Sequence, residues 1–142
     1  MASLIKEFVV DSPPEAVWDV VRDVGAVHTR LAPGVVVDTR LEPGARVVRF
    51  ANGLVLHELI VTVDDARRRL VYSSIGGQAT HHNASVQVLP EGARGSRFVW
   101  TTDLLPDELA PAVDQMMTAG IAVIRKTLEA APQAAATGHN SS

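Results

Sequence analysis

Residues 53–77, GLVLHELIVTVDDARRRLVYSSIGG, decide how the rest of the chain is interpreted. Two runs rich in valine, leucine and isoleucine flank the charged turn 64–67, which is the pattern of a β-hairpin. One carboxylate, Glu58, lies within the first run. Because strand side chains alternate between two faces, Glu58 either faces solvent or is a polar group placed in an interior. The neighbouring segments decide between these two.

Turn residues divide the chain on both sides of this hairpin into further short segments. Pro-Gly, Asn-Gly and Gly-Gly pairs separate runs of strand type, and such close spacing predicts an antiparallel meander. We predict strands at 4–10, 35–41, 46–50, 54–63, 70–75, 80–89 and 97–104.

Two short helices are predicted after the first strand. Ser12 is suited to cap the first helix, Glu15 completes a capping box, and Gly25 suits its end. A second short helical segment follows at 26–31 and stops before Pro33. These helices separate the first strand from the meander.

The end of the chain has a helical pattern. Apolar residues recur with a period of 3.6 beyond Asp107, which predicts a long helix over 110–130 with one broad apolar face. Pro132 is expected to end it. We therefore predict a single ligand-binding domain over 1–131 and a disordered tail over 132–142.

Side-chain parity indicates which face of each strand is inside. In segments 46–50, 80–89 and 97–104 the even-numbered residues are mostly apolar and the odd-numbered ones mostly polar, so the even set faces inward. A three-residue loop at 51–53 then sets Arg46 opposite Glu58. The inward polar and aromatic residues are Arg46, Glu58, Tyr72, Ser74, His82 and Trp100, with His81 outward unless the register slips at the Gly-Gly turn.

This many inward polar groups predicts a partly hydrated cavity. Burying a polar group without a partner costs roughly 1–3 kcal/mol, and a mostly apolar pocket with a few converging polar groups avoids that cost. Two interpretations of Glu58 remain open. It is either an internal ion pair with Arg46, or an anchor for ligand hydroxyls and a general acid or base.

Composition argues against several classes of function. The 142 residues carry a net charge of −3 and no cysteine, which disfavours nucleic-acid binding, disulfides and thiolate metal sites. The basic run 67–69 lies beside two aspartates and is predicted to be a solvated corner. With no signal-peptide pattern and no long apolar run, we expect a cytoplasmic protein without integral membrane association. Adjacent strand histidines point to opposite faces, and Lys6 and Lys126 are the only lysines, so we expect no metal and no cofactor.

The order of these elements resembles the START-like (SRPBCC) superfamily, and within it the bacterial members of polyketide cyclase/dehydrase type. The resemblance is carried by residues 12–18 (SPPEAVW), 43–46 (PGAR), 53–64, 99–106 and 121–129. It implies an α+β helix-grip fold. In that fold a seven-stranded curved antiparallel sheet wraps around a long C-terminal helix, with two short helices after strand 1.

Residues 58–77 are also similar to the matching segment of the plant abscisic-acid receptors, where the glutamate and the aromatic residue line the hormone pocket. The likeness implies that Glu58, Tyr72, Ala84, Met116 and Gly120 line a cavity here. The receptors' Ser-Gly-Leu-Pro-Ala gate is replaced by the short loop 51–53, and their His-Arg-Leu latch is absent. Only the pocket architecture is therefore implied, and not hormone sensing.

Three functions are predicted as alternatives. The first is binding of a hydrophobic or polycyclic molecule, lipid-like or polyketide-like, between the sheet and the last helix. The second is a cyclase or dehydratase that uses Glu58 with His82 or Tyr72 as general acid and base. The third is a homodimeric interaction module using the apolar odd-numbered face Val55, Leu59, Val61 and Val63. The predicted ligand-binding residues are Arg46, Val48, Phe50, Leu56, Glu58, Tyr72, Ser74, His82, Ala84, Trp100, Met116 and Gly120.

Overall fold

The structure is a computed structural model that describes residues 2–140, with side chains described for residues 2–130. In chain order the elements are β1 (Ala2–Val10), α1 (Pro14–Val21), a π-helical turn (Val27–Leu31), β2 (Val36–Glu42), β3 (Ala45–Phe50), β4 (Val55–Asp64), β5 (Arg69–Ile75), β6 (His81–Glu91), β7 (Gly95–Leu105), a 3-10 turn (Asp107–Leu109) and α2 (Ala110–Asn140).

Within these residues, seven antiparallel strands form one sheet in the order β1-β7-β6-β5-β4-β3-β2. From β2 onward each strand pairs with the next along the chain, and β1 pairs with β7. The helix α2 buries Met117, Ile124 and Leu128 against the inner face. The predicted α+β helix-grip fold is confirmed.

The register of β3 and β4 follows from the short loop that joins them. Gly53 has φ of 92°, a left-handed conformation that glycine adopts without steric cost, and the amide of Phe50 donates to the carbonyl of Leu54 over 2.8 Å. This closure sets Arg46 directly opposite Glu58, as the sequence predicted. Both charged residues face the interior and are 5% exposed.

Val55 and Leu59 lie on the outer face of β4, as parity indicated. Val55, Leu59, Val61 and Val63 are 47%, 42%, 60% and 39% exposed. A bulge shifts the register with β5 between Ile60 and Thr62, so Val63 pairs with the buried Leu70. Paired residues share a face, so Val63 belongs to the inner-facing set and its predicted place on the outer face is corrected. The homodimer contact predicted for this face stays a prediction.

The start of α1 differs from the predicted capping box. Its N-cap is Pro13 and makes no side-chain cap bond. Ser12 is buried, and its carbonyl accepts a hydrogen bond of 2.6 Å from the Ser96 hydroxyl of β7. This contact holds Ser12 against the sheet, and Glu15 pairs with Arg68 of the β4–β5 turn.

The other end of α1 is held by the β4–β5 turn. The helix ends at Val21, before the predicted end at Gly25. Trp18 donates its indole N–H to Asp65 over 2.8 Å, and Nε of Arg22 donates to the same carboxylate over 2.9 Å. The Arg22 guanidinium and this indole hold the pKa of Asp65 below its ordinary value. The charged turn therefore anchors a helix and is not merely a solvated corner.

The helix α2 continues to Asn140 instead of ending at Pro132. A proline inside a helix removes one backbone hydrogen bond, so it can weaken or kink a helix without ending it. The disordered tail predicted over 132–142 concerns residues whose side chains lie outside those described. None of the helices among the described residues is long and apolar enough to cross a membrane.

Candidate functional site

A cavity of about 80 Å³ lies between the inner face of the sheet and α2. Its wall is mostly apolar, and its polar groups come from β3, β4, β5, β6 and β7. The predicted residues that line it are Arg46, Val48, Phe50, Leu56, Glu58, Tyr72, Ser74, His82, Trp100, Met116 and Gly120. The structure thus brings most of the predicted set together around one space.

Ala84 is the predicted residue that does not line the cavity. It faces inward and is buried, but it lies between Tyr72 and Thr102 in the cross-strand register. Its methyl group is shorter than both neighbouring side chains, so they cover it. The prediction for Ala84 is corrected to a core position beneath the cavity wall.

The polar groups form a row across the sheet. Arg46 pairs with Glu58 in the register of β3 and β4, and Glu58 pairs with Ser74 in that of β4 and β5. Nε of Arg46 donates to Oε1 of Glu58 over 2.8 Å, and the Ser74 hydroxyl donates to Oε2 over 3.3 Å. Nη1 of Arg46 donates to the carbonyl of Val24 over 3.2 Å. Both carboxylate oxygens therefore have protein partners.

Tyr72 links this row to the apolar wall. The Arg46 guanidinium carbon lies 4.9 Å from the centre of the Tyr72 ring, which is cation–π geometry. The Tyr72 hydroxyl accepts a hydrogen bond of 3.1 Å from Nε1 of Trp100. Burial, with a smaller contribution from the Glu58 charge, raises the pKa of Tyr72 well above its ordinary value. The phenol stays protonated, and no described residue accepts its proton.

His82 continues the polar row on β6. Ser73 pairs with Asn83, so the next inward residues on the two strands are Ser74 and His82. His82 lines the cavity, whereas its neighbour His81 is not among the lining residues. Burial lowers the pKa of His82, although the Glu58 charge opposes that shift. The imidazole is therefore neutral at pH 7, with one N–H donor and one acceptor nitrogen.

Sequence reasoning missed several lining residues. Thr102 is an even-numbered residue of β7, so parity could have found it, and Val113 and Met117 belong to the apolar face of α2. Val21 and Leu31 also line the cavity, from α1 and the π-helical turn. No sequence period connects those two segments to the sheet, so their contribution depends on tertiary packing.

Two grooves share lining residues with the cavity. One, of about 490 Å³, runs between Phe50 in the β3–β4 region and α2, and the other, of about 230 Å³, runs between the β5–β6 loop and α2. Met116 lines the cavity and both grooves. Its flexible thioether side chain therefore stands where the three spaces meet.

Comparison with known families gives one match over nearly the whole chain. Residues 1–133 match the family model described as polyketide cyclase / dehydrase and lipid transport. None of the curated proteins compared is significantly similar in sequence.

Several solved structures share the fold. The protein XoxI from Bacillus cereus has a TM-score of 0.80 at 18% identity, over 94% of this chain and 96% of that one. A solution NMR structure from Thermobifida fusca has a TM-score of 0.76 at 29% identity, covering 91% of each chain. Norcoclaurine synthase from Thalictrum flavum, in complex with dopamine and hydroxybenzaldehyde, has a TM-score of 0.71 at 19% identity, over 90% of this chain and 84% of that one.

Proposed function

Because the chain belongs to the polyketide cyclase / dehydrase and lipid transport family, we propose that it binds a hydrophobic or polycyclic small molecule between the sheet and α2. One observation carries the proposal. A mostly apolar cavity contains the Tyr72 hydroxyl and the neutral His82 imidazole. The hydroxyl accepts a hydrogen bond from Trp100 but donates none to a described residue, and the imidazole has no hydrogen-bond partner among the described residues. Apolar walls with a few converging polar groups are typical of small-molecule sites.

The size of the space suggests how a ligand is accommodated. Sites for drug-sized ligands typically measure roughly 300–1,000 Å³, whereas the cavity alone measures about 80 Å³. The cavity therefore takes one ring or a short chain. A larger ligand extends into an adjoining groove by displacing the Met116 side chain, which has three rotatable bonds and repacks at low cost.

Filling the cavity from α2 tests this proposal. A Cβ atom at Gly120 would lie 3.3 Å from the Trp100 ring, so Gly120→Val places new methyl groups in the cavity. Ala122→Val adds the same branched side chain at an exposed position of the same helix and is the matched control.

The measurement has two stages. Native mass spectrometry and solvent extraction of the purified protein identify co-purifying ligands, and a panel of neutral lipids, aromatic ketones and polyketides is titrated. We expect Gly120→Val to lose at least tenfold in affinity while Ala122→Val retains binding. If a folded Gly120→Val protein binds with unchanged affinity, the ligand does not occupy this cavity. If the wild type binds no member of the panel, the proposed binding function is wrong.

A second candidate function is acid–base catalysis. The cavity contains a group whose pKa is lowered, His82, and one whose pKa is raised, Tyr72, and such a divergence is typical of paired bases and acids. His82 would remove a proton from the carbon beside a ketone whose oxygen accepts a hydrogen bond from Tyr72. Glu58 is held by Arg46 and would act by positioning that arginine.

Deuterium exchange tests the catalytic candidate directly. The methyl group of 2-acetylnaphthalene is followed by NMR in D₂O with the wild type and with His82→Ala, Tyr72→Phe and Glu58→Gln. General acid and base groups contribute roughly 10²–10⁴-fold each, so His82→Ala should lose most of any acceleration. Exchange no faster than in buffer, from a wild type that binds the ketone, would leave binding as the function.

A further inference from the structure

We propose that the cavity selects electrically neutral ligands over carboxylates, and that Glu58 sets this preference by neutralising Arg46. The inference rests on the proposed binding function and adds the chemical class of the ligand. It makes Glu58 a residue that determines specificity through the charge of the site.

The charges along the route into the cavity support this. Among the described residues that line the cavity and both grooves, Arg46 and Glu58 are the only ones that carry a full charge at neutral pH. They are joined by a contact of 2.8 Å, so the lining has no net charge. His82 adds none, because burial keeps its imidazole neutral.

Most of the Arg46 guanidinium is already engaged by the protein. Nε binds Glu58, Nη1 binds the Val24 carbonyl, and the face of the guanidinium lies over the Tyr72 ring. Only 5% of Arg46 is exposed. No bond from Nη2 to a described residue is present, but an anionic ligand at Nη2 would share the single positive charge of Arg46 with Glu58. The apolar space would then hold two negative charges and one positive charge, and a buried unpaired charge is strongly unfavourable.

The remaining polar groups suit a neutral acceptor. The Tyr72 hydroxyl can donate its proton, and His82 and Thr102 each offer a neutral donor and acceptor. A ketone, ester or phenol oxygen satisfies such groups without bringing a charge into the cavity. A fatty acid or another carboxylate would lose its hydration and gain no free cation.

Matched ligand pairs test the inference at pH 7.5. Acetophenone and benzoate have nearly the same shape, as do 2-acetylnaphthalene and 2-naphthoate, and within each pair only the second is charged. Isothermal titration calorimetry with the wild type should give at least tenfold tighter binding of the ketone in each pair that binds. A ketone-to-carboxylate affinity ratio below ten overturns the inference and leaves the binding function intact. If none of the four compounds binds, both the inference and the proposed binding function are overturned.

Two variants test the role of Glu58. Glu58→Gln leaves Arg46 without its counter-charge, so the ketone-to-carboxylate ratio should fall at least tenfold. The double variant Arg46→Met with Glu58→Leu has an uncharged lining and should keep the wild-type ratio. An unchanged ratio in folded Glu58→Gln overturns the assignment to Glu58. If circular dichroism shows that Glu58→Gln does not fold, the ketone-to-carboxylate affinity ratio of the wild type tests whether the cavity selects neutral ligands. Loss of that ratio in the double variant would overturn the explanation by charge neutralisation.

Discussion

At one end of the interior Phe8 stacks on Phe98 with ring centroids 4.9 Å apart, and Leu128 of α2 is fully buried in the same core. We call this the packed end. At the other end the same sheet presents Arg46, Glu58, Ser74 and His82 to a cavity, and we call this the polar end. Phe98 lies at the boundary, because it also lines that cavity. Strands β5, β6 and β7 contribute to both ends. The backbone is therefore the same at both ends, and the side chains decide which end is filled and which is left hollow.

The largest effect should come from unpairing the charges at the polar end. Arg46→Met leaves Glu58 buried without its cation, and removing one partner of a buried pair costs about 3–5 kcal/mol. Adding Glu58→Leu to the same chain should restore most of that stability. Urea unfolding followed by circular dichroism measures both variants, and a double variant as unstable as Arg46→Met would contradict charge pairing as the cause.

Removing side-chain volume should separate the two ends. Leu128→Ala at the packed end opens a cavity where none exists and should cost about 2–5 kcal/mol. Met116→Ala borders space that is already open and should cost about 1 kcal/mol or less, near the centre of the distribution for single mutations. The same unfolding measurement compares them. Equal losses would show that the polar end is packed as tightly as the other.

A smaller effect is expected from the titration of His82. Its pKa in the folded state lies below the ordinary value of 6.5, so the unfolded state binds more protons as the pH falls below 6.5. The free energy of unfolding should therefore decrease from that pH downward until the pH passes the lower, folded-state pKa. His82→Asn should flatten this slope. Equal slopes for wild type and His82→Asn would contradict the assignment.

The smallest effect concerns the outer surface of the polar end. Leu59 and Val61 are exposed on β4, and an apolar patch of this kind is typical of a contact surface. We expect weak, concentration-dependent dimerisation in sedimentation experiments, reduced by Leu59→Lys. A strictly monomeric wild type would remove the predicted homodimer.

Alternating side-chain chemistry was enough to predict most of the site. Parity set Glu58 inward, and the loop at Gly53 set Arg46 opposite, because a hairpin register follows from its turn. Local rules failed where a distant contact competed with them. Ser12 would cap α1 by its sequence, but the bond from Ser96 of β7 holds it against the sheet, at a distance of 84 positions along the chain.

The sequence by itself determined the antiparallel meander from β2 to β7, the inward row from Arg46 to His82 and the apolar face of α2, because period and turn chemistry are local properties. Only the tertiary structure decided how large the cavity is, that Val21 and Leu31 help to line it, and that Arg46 binds the Val24 carbonyl as well as Glu58. Those features depend on how α1 and α2 pack on the sheet. Packing depends on contacts between residues far apart in the chain, which no local pattern encodes.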